Sequence, residues 1–225
     1  MTNDEFSIEF DVLYNNMMSN KAPGLNEYEK SVCLTQAQEA IVSSLYGGES
    51  AQISFEDTEE IRRALGALVK TKIISSKQEG CTGLVRESSF YKLPEGLWFI
   101  TYEEVNISSS SPCTDDIILP VIPVTQDEFY KIYKNPFRTS NNRRVLRLDY
   151  SKDIVELVSS YDINTYLVRY IEKPEPIILE DLELGMSIDG ISGKTECKLS
   201  SSIHRIILKE AVNIAIKTFA PGAQG

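Results

Sequence analysis

The chain has 225 residues, 42% of them hydrophobic, enough to bury a core without a disulfide or metal staple. Its 33 acidic residues outnumber 23 basic ones, and the formal net charge of −10 disfavours general DNA or RNA binding while remaining compatible with a wall that DNA merely passes. Four scattered cysteines (Cys33, Cys81, Cys113, Cys197) with no C-x-x-C pair read as reduced thiols, and no run of about 18 apolar residues predicts a membrane span.

The acidic start, with Asp4, Glu5, Glu9 and Asp11, has the wrong charge for a signal or transit peptide. Thr2 with Glu5 forms a capping-box pattern, and Phe6, Phe10, Leu13 and Met17 recur at helical spacing, so residues 3–18 are expected to be an amphipathic helix. Asn26 with Glu29 would cap a short second helix. Thr35 with Gln38 offers another start, with Ala37, Ile41, Val42 and Leu45 on one face and a stop at Gly47-Gly48. A further helix beginning near Ser54 or Thr58 would present Ile61, Leu65, Leu68 and Val69.

Residues 75–88 read as a mobile loop, after which the period changes to that of strands. Phe90-Tyr91 and Leu97–Ile107 are expected strands. Ile117–Val124 is extended, but Pro120 and Pro123 place it at a sheet edge or outside. Thr125 with Glu128 predicts a helix of about nine residues ending before Asn135-Pro136. Residues 144–150, 153–160 and 164–172 suggest an antiparallel β-meander, which the chain leaves as a stiff segment at Pro174-Glu175-Pro176. A C-terminal amphipathic helix follows from about Ser200, with Ile203, Ile207, Ala211 and Ile214 on one face and Leu208, Val212 and Ala215 widening it. The fold class is α+β: a mainly helical segment over residues 1–75, and an α+β segment over 76–225 packed with it as one structural unit.

Enzyme signatures are weak throughout. His204 is the only histidine, no G-x-S-x-G elbow frames a serine, and His204 at the start of the last helix reads as structural. Gly80-Cys81-Thr82-Gly83 lacks the lysine of a phosphate-binding loop. Acidic clusters at Asp115-Asp116 and at Glu180, Asp181, Glu183 and Asp189 read as solvated loop charge without EF-hand spacing. Arg143-Arg144, with Arg138 and Arg147 nearby, is the one concentrated basic patch, better suited to acids of a partner subunit than to nucleic acid. No catalytic, cofactor-binding or metal-binding residue is assigned, and no cofactor is expected.

Residues 22–46 (APGLNEYEKSVCLTQAQEAIVSSLY), 169–179 (RYIEKPEPIIL) and 198–219 (KLSSSIHRIILKEAVNIAIKTF) resemble virion structural proteins of tailed bacteriophages, nearest to the neck and tail ring proteins of crAss-like phages. The resemblance implies a non-enzymatic homo-oligomeric ring below the portal, of about twelve copies by closed symmetry. It would surround the DNA channel and contact portal and other ring or tail subunits. It also implies assembly in the host bacterial cytoplasm and no membrane. Ala37–Glu39, Pro174–Pro176 and Leu199–His204 would be scaffold and contact elements. Loops 75–88 and 107–116 and the C-terminal tail are expected to supply contacts between subunits. The alternatives are an intracellular hydrolase using buried carboxylates and a small regulatory protein-binding module.

Overall fold

Helix α1 (Asn3–Met18) starts at a complete capping box, in which Thr2 N–H donates to Glu5 Oε2 (2.9 Å) and Glu5 N–H to Thr2 Oγ1 (3.3 Å). The structure, a computed structural model, describes residues 1–18, 23–47, 63–107 and 117–219. Contacts divide it into two compact units, Met1–Leu68 with Lys173–Gly225 (unit 1) and Val69–Glu172 (unit 2).

In unit 1, α1 buries Phe6, Phe10 and Tyr14, whereas the expected Met17 is exposed. Asn26 and Glu29 form the second capping box, opening α2 (Glu27–Gly47). This is one continuous 21-residue helix, so Thr35 and Gln38 lie mid-helix instead of starting a new one. Both are buried and turned to a different task, described below. Lys30 is also buried, held by Asp11 (2.7 Å) and Glu27 (2.9 Å), which ties α2 to α1. Ser54, Thr58 and Ile61 lie outside the described residues, and a 3-10 turn at Gly66–Leu68 ends the described helical stretch. Val69, expected on a helix face, instead begins a strand, because Val69-Lys-Thr-Lys-Ile-Ile74 alternates and is β-branched.

Unit 2 is a curled seven-stranded mixed sheet of order β1-β7-β3-β4-β5-β6-β2. The strands are β1 (Val69–Ile74), β2 (Ser88–Lys92), β3 (Leu97–Ile107), β4 (Ile117–Pro123), β5 (Val145–Asp149), β6 (Ile154–Val158) and β7 (Ile163–Glu172). Strands β5 and β6 pair antiparallel as expected. β7 does not continue the meander: it lies between β1 and β3, antiparallel to both. One cluster, including Tyr91, Val105, Leu119, Val145, Leu157 and Tyr166, packs on one face of the sheet.

β4 is central, contrary to the edge position its prolines suggested. Its first half pairs antiparallel with β3 as far as Pro120, and its second half pairs parallel with β5 as far as Pro123. Each proline therefore closes one ladder, where a missing N–H costs least. Helix α3 (Gln126–Tyr133) covers the other sheet face, with Phe129 packed on Leu146, Leu148 and Val158. It begins where Thr125 and Glu128 predicted, although Thr125 makes no side-chain cap bond.

Helix α4 (Ser201–Phe219) returns to unit 1 and packs on α1 and α2. It buries Ile203, Ile207, Leu208, Ala211, Val212 and Ala215. Helices at both ends of the chain with a mixed sheet between make the fold α+β.

Candidate assembly surfaces

The three stretches singled out by resemblance are brought together chiefly in unit 1, where α2 and α4 pack on each other and segment 175–179 lies along α2. Outside a sheet, an extended segment must find other partners for its backbone. Ser31, Thr35 and Gln38 supply them at helical spacing: Ser31 Oγ accepts from Leu179 N–H (3.0 Å), Thr35 Oγ1 from Ile177 N–H (3.1 Å), and Gln38 Nε2 donates to Glu175 O (2.8 Å). Asn3 Nδ2 serves Ile178 O (2.8 Å), and Thr195 Oγ1 donates to Pro176 O and accepts from Ile178 N–H. Ala37 is buried and Glu39 pairs with Lys173 (2.8 Å). These side chains build the scaffold of unit 1.

His204 is buried on α4. Its Nδ1 faces the Met1 ammonium at 2.8 Å and its Nε2 the Leu199 carbonyl at 2.9 Å. Burial, reinforced by the ammonium, pushes the imidazole below its ordinary range against the pull of Leu199. A neutral ring donating through Nε2 and accepting through Nδ1 fits both partners. Among the described residues its hydrogen-bond partners are thus the Met1 amino group and one backbone carbonyl. Cys33, Cys81 and Cys197 are free thiols. Burial, then Glu29, pushes Cys33 up to about 11, a value at which it is a packing residue. Cys113 and Asp115-Asp116 lie outside the described residues.

Sequence reasoning placed Arg147 in the surface basic patch, but the fold turns it inward. On β5 it shares a face with buried Val145 and reaches Glu103 Oε2 at 3.1 Å. Tyr166 donates its hydroxyl to the other oxygen of Glu103. Burial raises the Glu103 carboxyl, with Arg147 and Tyr166 pulling it back only in part, while the adjacent charge keeps Arg147 protonated. The missed signal was the two-residue period that aligns Glu103 with Val105 and Ile107, and Arg147 with Val145.

A second buried acid, Glu156, pins the loop read as mobile: Leu84 N–H (2.9 Å) and Ser88 Oγ (2.5 Å) both donate to its Oε1. Glu103 shares the face of the cluster around Val105 and Tyr166, whereas Glu156 alternates with Val155 and Leu157 and so shares the opposite face with Val158.

Arg138 and Arg143 are exposed and Arg144 half-buried, none with an ion pair among the described residues, in the same loop as Phe137, which is 84% exposed. Of the expected acidic cluster, Asp181 accepts from Lys194 N–H (2.7 Å) and Asp189 pairs with Lys173 (2.7 Å), while Glu180 and Glu183 are exposed. Among the described residues, no group of three or more His, Cys, Asp or Glu is arranged to hold a metal, and no helix is long and apolar enough to cross a membrane.

The family model described as phage tail ring protein 3/4 matches residues 1–224. The chain is 46% identical to ring protein 3 of Bacteroides phage crAss001 over 96% of its own length and 95% of that protein. It is 34% identical to ring protein 4/5 of the same phage over 96% and 92% of the two chains. The chain belongs to the tail ring protein 3/4 family of crAss-like phages, a family of structural ring components of the virion.

Proposed function

We propose that the chain closes with copies of itself into a ring in the neck or tail of the particle, near the portal, with the DNA channel running through it. The observation that carries this is the end-to-end match to tail ring proteins, which spans both units. The net charge of −10 suits a channel wall, since it keeps a polyanion from adhering. About twelve copies would match a twelvefold portal under closed symmetry, with portal and other ring or tail subunits as axial neighbours. Assembly takes place in the host cytoplasm.

The ring acts without catalysis. Glu103 and Glu156, the two acids buried among the described residues, lie on opposite faces of the sheet, which disfavours a hydrolytic carboxylate pair. Cryo-electron microscopy of the purified particle tests the ring: density for this chain as a closed, DNA-encircling layer is expected. Absence of the chain from virions, or a position off the channel axis, would overturn the proposal.

A further inference from the structure

Two exposed loops carry opposite charge, each around a bare apolar side chain. Residues 131–144, the end of α3 and the loop after it, contain five Lys and Arg and no acid, in a protein whose net charge is −10. The loop is preformed. Asn135 Oδ1 accepts from Phe137 N–H (2.9 Å) and Asn141 Oδ1 from Arg143 N–H (2.8 Å), two Asx turns in the loop that carries the 84% exposed Phe137 and the arginines.

In unit 1, residues 180–186 contain three acids and no base. A turn closed by Met186 N–H on Glu183 O (2.9 Å), with Gly185 at φ +93°, throws Leu184 fully into solvent. Beside it Tyr28, Leu182 and Met186, with Glu27, Glu180 and Glu183, line a cavity of about 340 Å³. An isolated exposed apolar residue needs no explanation, but an exposed aromatic in a cationic loop and a hollow that sets Tyr28, Leu182 and Met186 among acids match as anchor and socket.

We propose that the Phe137–Arg144 loop of one copy docks on the Glu180–Met186 turn of the next, Phe137 entering the cavity and the arginines facing Glu180 and Glu183. The two surfaces differ, and repeated head-to-tail about a closing rotation axis the contact builds a ring. Order already present in both loops lowers the entropy lost on docking. The proposal rests on the ring reading and names the contact between its neighbours.

The test is a charge swap, read as self-association by sedimentation and mass photometry, with circular dichroism to verify the fold. R143E/R144E opposes acid to acid and E180K/E183K opposes base to base; each alone is expected to weaken association at least tenfold. Mixing the two variants, or combining all four changes in one chain, restores complementary pairs and should restore association. F137A should weaken it without altering the charge. If the wild type associates and neither reversal matters, the docking is overturned and the ring stands. If neither the wild type nor the four-fold variant associates, this contact is overturned, and imaging of the particle decides the ring separately. Duplex DNA binding by the wild type that is lost in R143E/R144E, with association unchanged, would assign the arginines to nucleic acid instead and overturn the proposal.

Discussion

Gln38 Nε2 donates to the carbonyl of Glu175 across 2.8 Å, while Oε1 of the same amide accepts from the Cys197 thiol at 3.4 Å. One buried side chain thus joins α2 to two separate segments of unit 1. Gln38→Leu should cost about 1–3 kcal/mol by urea unfolding, because it strands the partly buried Glu175 carbonyl. Thr35→Val should cost a similar amount, since Ile177 N–H loses its acceptor, while Thr35→Ser retains most of the stability. A loss under about 0.5 kcal/mol for both Leu and Val variants would show that water replaces these ties.

Arg147→Met leaves Glu103 buried without its cation, and a loss of about 3–5 kcal/mol at pH 7 is expected. Without the arginine the Glu103 carboxyl, already raised by burial, rises further. A raised carboxyl pKa favours the fold at low pH and withdraws that support as pH climbs through it. The gap between wild type and Arg147→Met should therefore narrow on acidification. Parallel curves of unfolding free energy against pH would contradict it.

For His204 the sign is opposite. Its lowered pKa means that the unfolded chain binds the proton more readily, so stability is fully present above the ordinary imidazole value of 6.5 and falls as pH drops below it. His204→Gln should flatten the acid limb of thermal melts between pH 7.5 and 5. An unchanged slope would show that acid destabilisation arises elsewhere.

Gly83 has no room for a side chain: a Cβ there would lie 2.6 Å from Ser88 Cβ and 2.7 Å from Glu156 Oε1. Gly83→Ala should cost about 1–3 kcal/mol by overpacking. Gly66→Ala, which meets nothing within 4 Å, is the control and should be neutral within about 0.5 kcal/mol. Equal stability of the two variants in urea would mean that loop 75–87 can move away from β6.

What the sequence made legible was local. Both capping boxes, Phe6 and Phe10 of the α1 face and most of the α4 face could be read because their partners lie within a turn or two, whereas the expected Met17 is exposed and Ile214 only half-buried. Ser31, Thr35 and Gln38 could not, because their partners are 137 to 148 residues away and polar residues on a buried helix face imitate a cap. Pro120 and Pro123 obeyed the rule for strand prolines, but at the scale of half-strands, which single-strand reasoning cannot resolve. Arg147 was misplaced because its neighbours Arg143 and Arg144 suggested a patch, whereas the two-residue period assigned it inward. The residues of the proposed socket were visible as acids, but the turn that gives them a cavity was not.

Val69 and Ile171 are register partners in β1 and β7, so the chain enters and leaves unit 2 side by side. A segment with adjacent ends can be exchanged as a cassette: two junctions, at 68/69 and 172/173, define the graft. Related ring proteins could trade their sheets for one another's while keeping the helices of unit 1, or the reverse. Specificity for a neighbouring layer could then evolve in one half of the subunit without renegotiating the packing of the other.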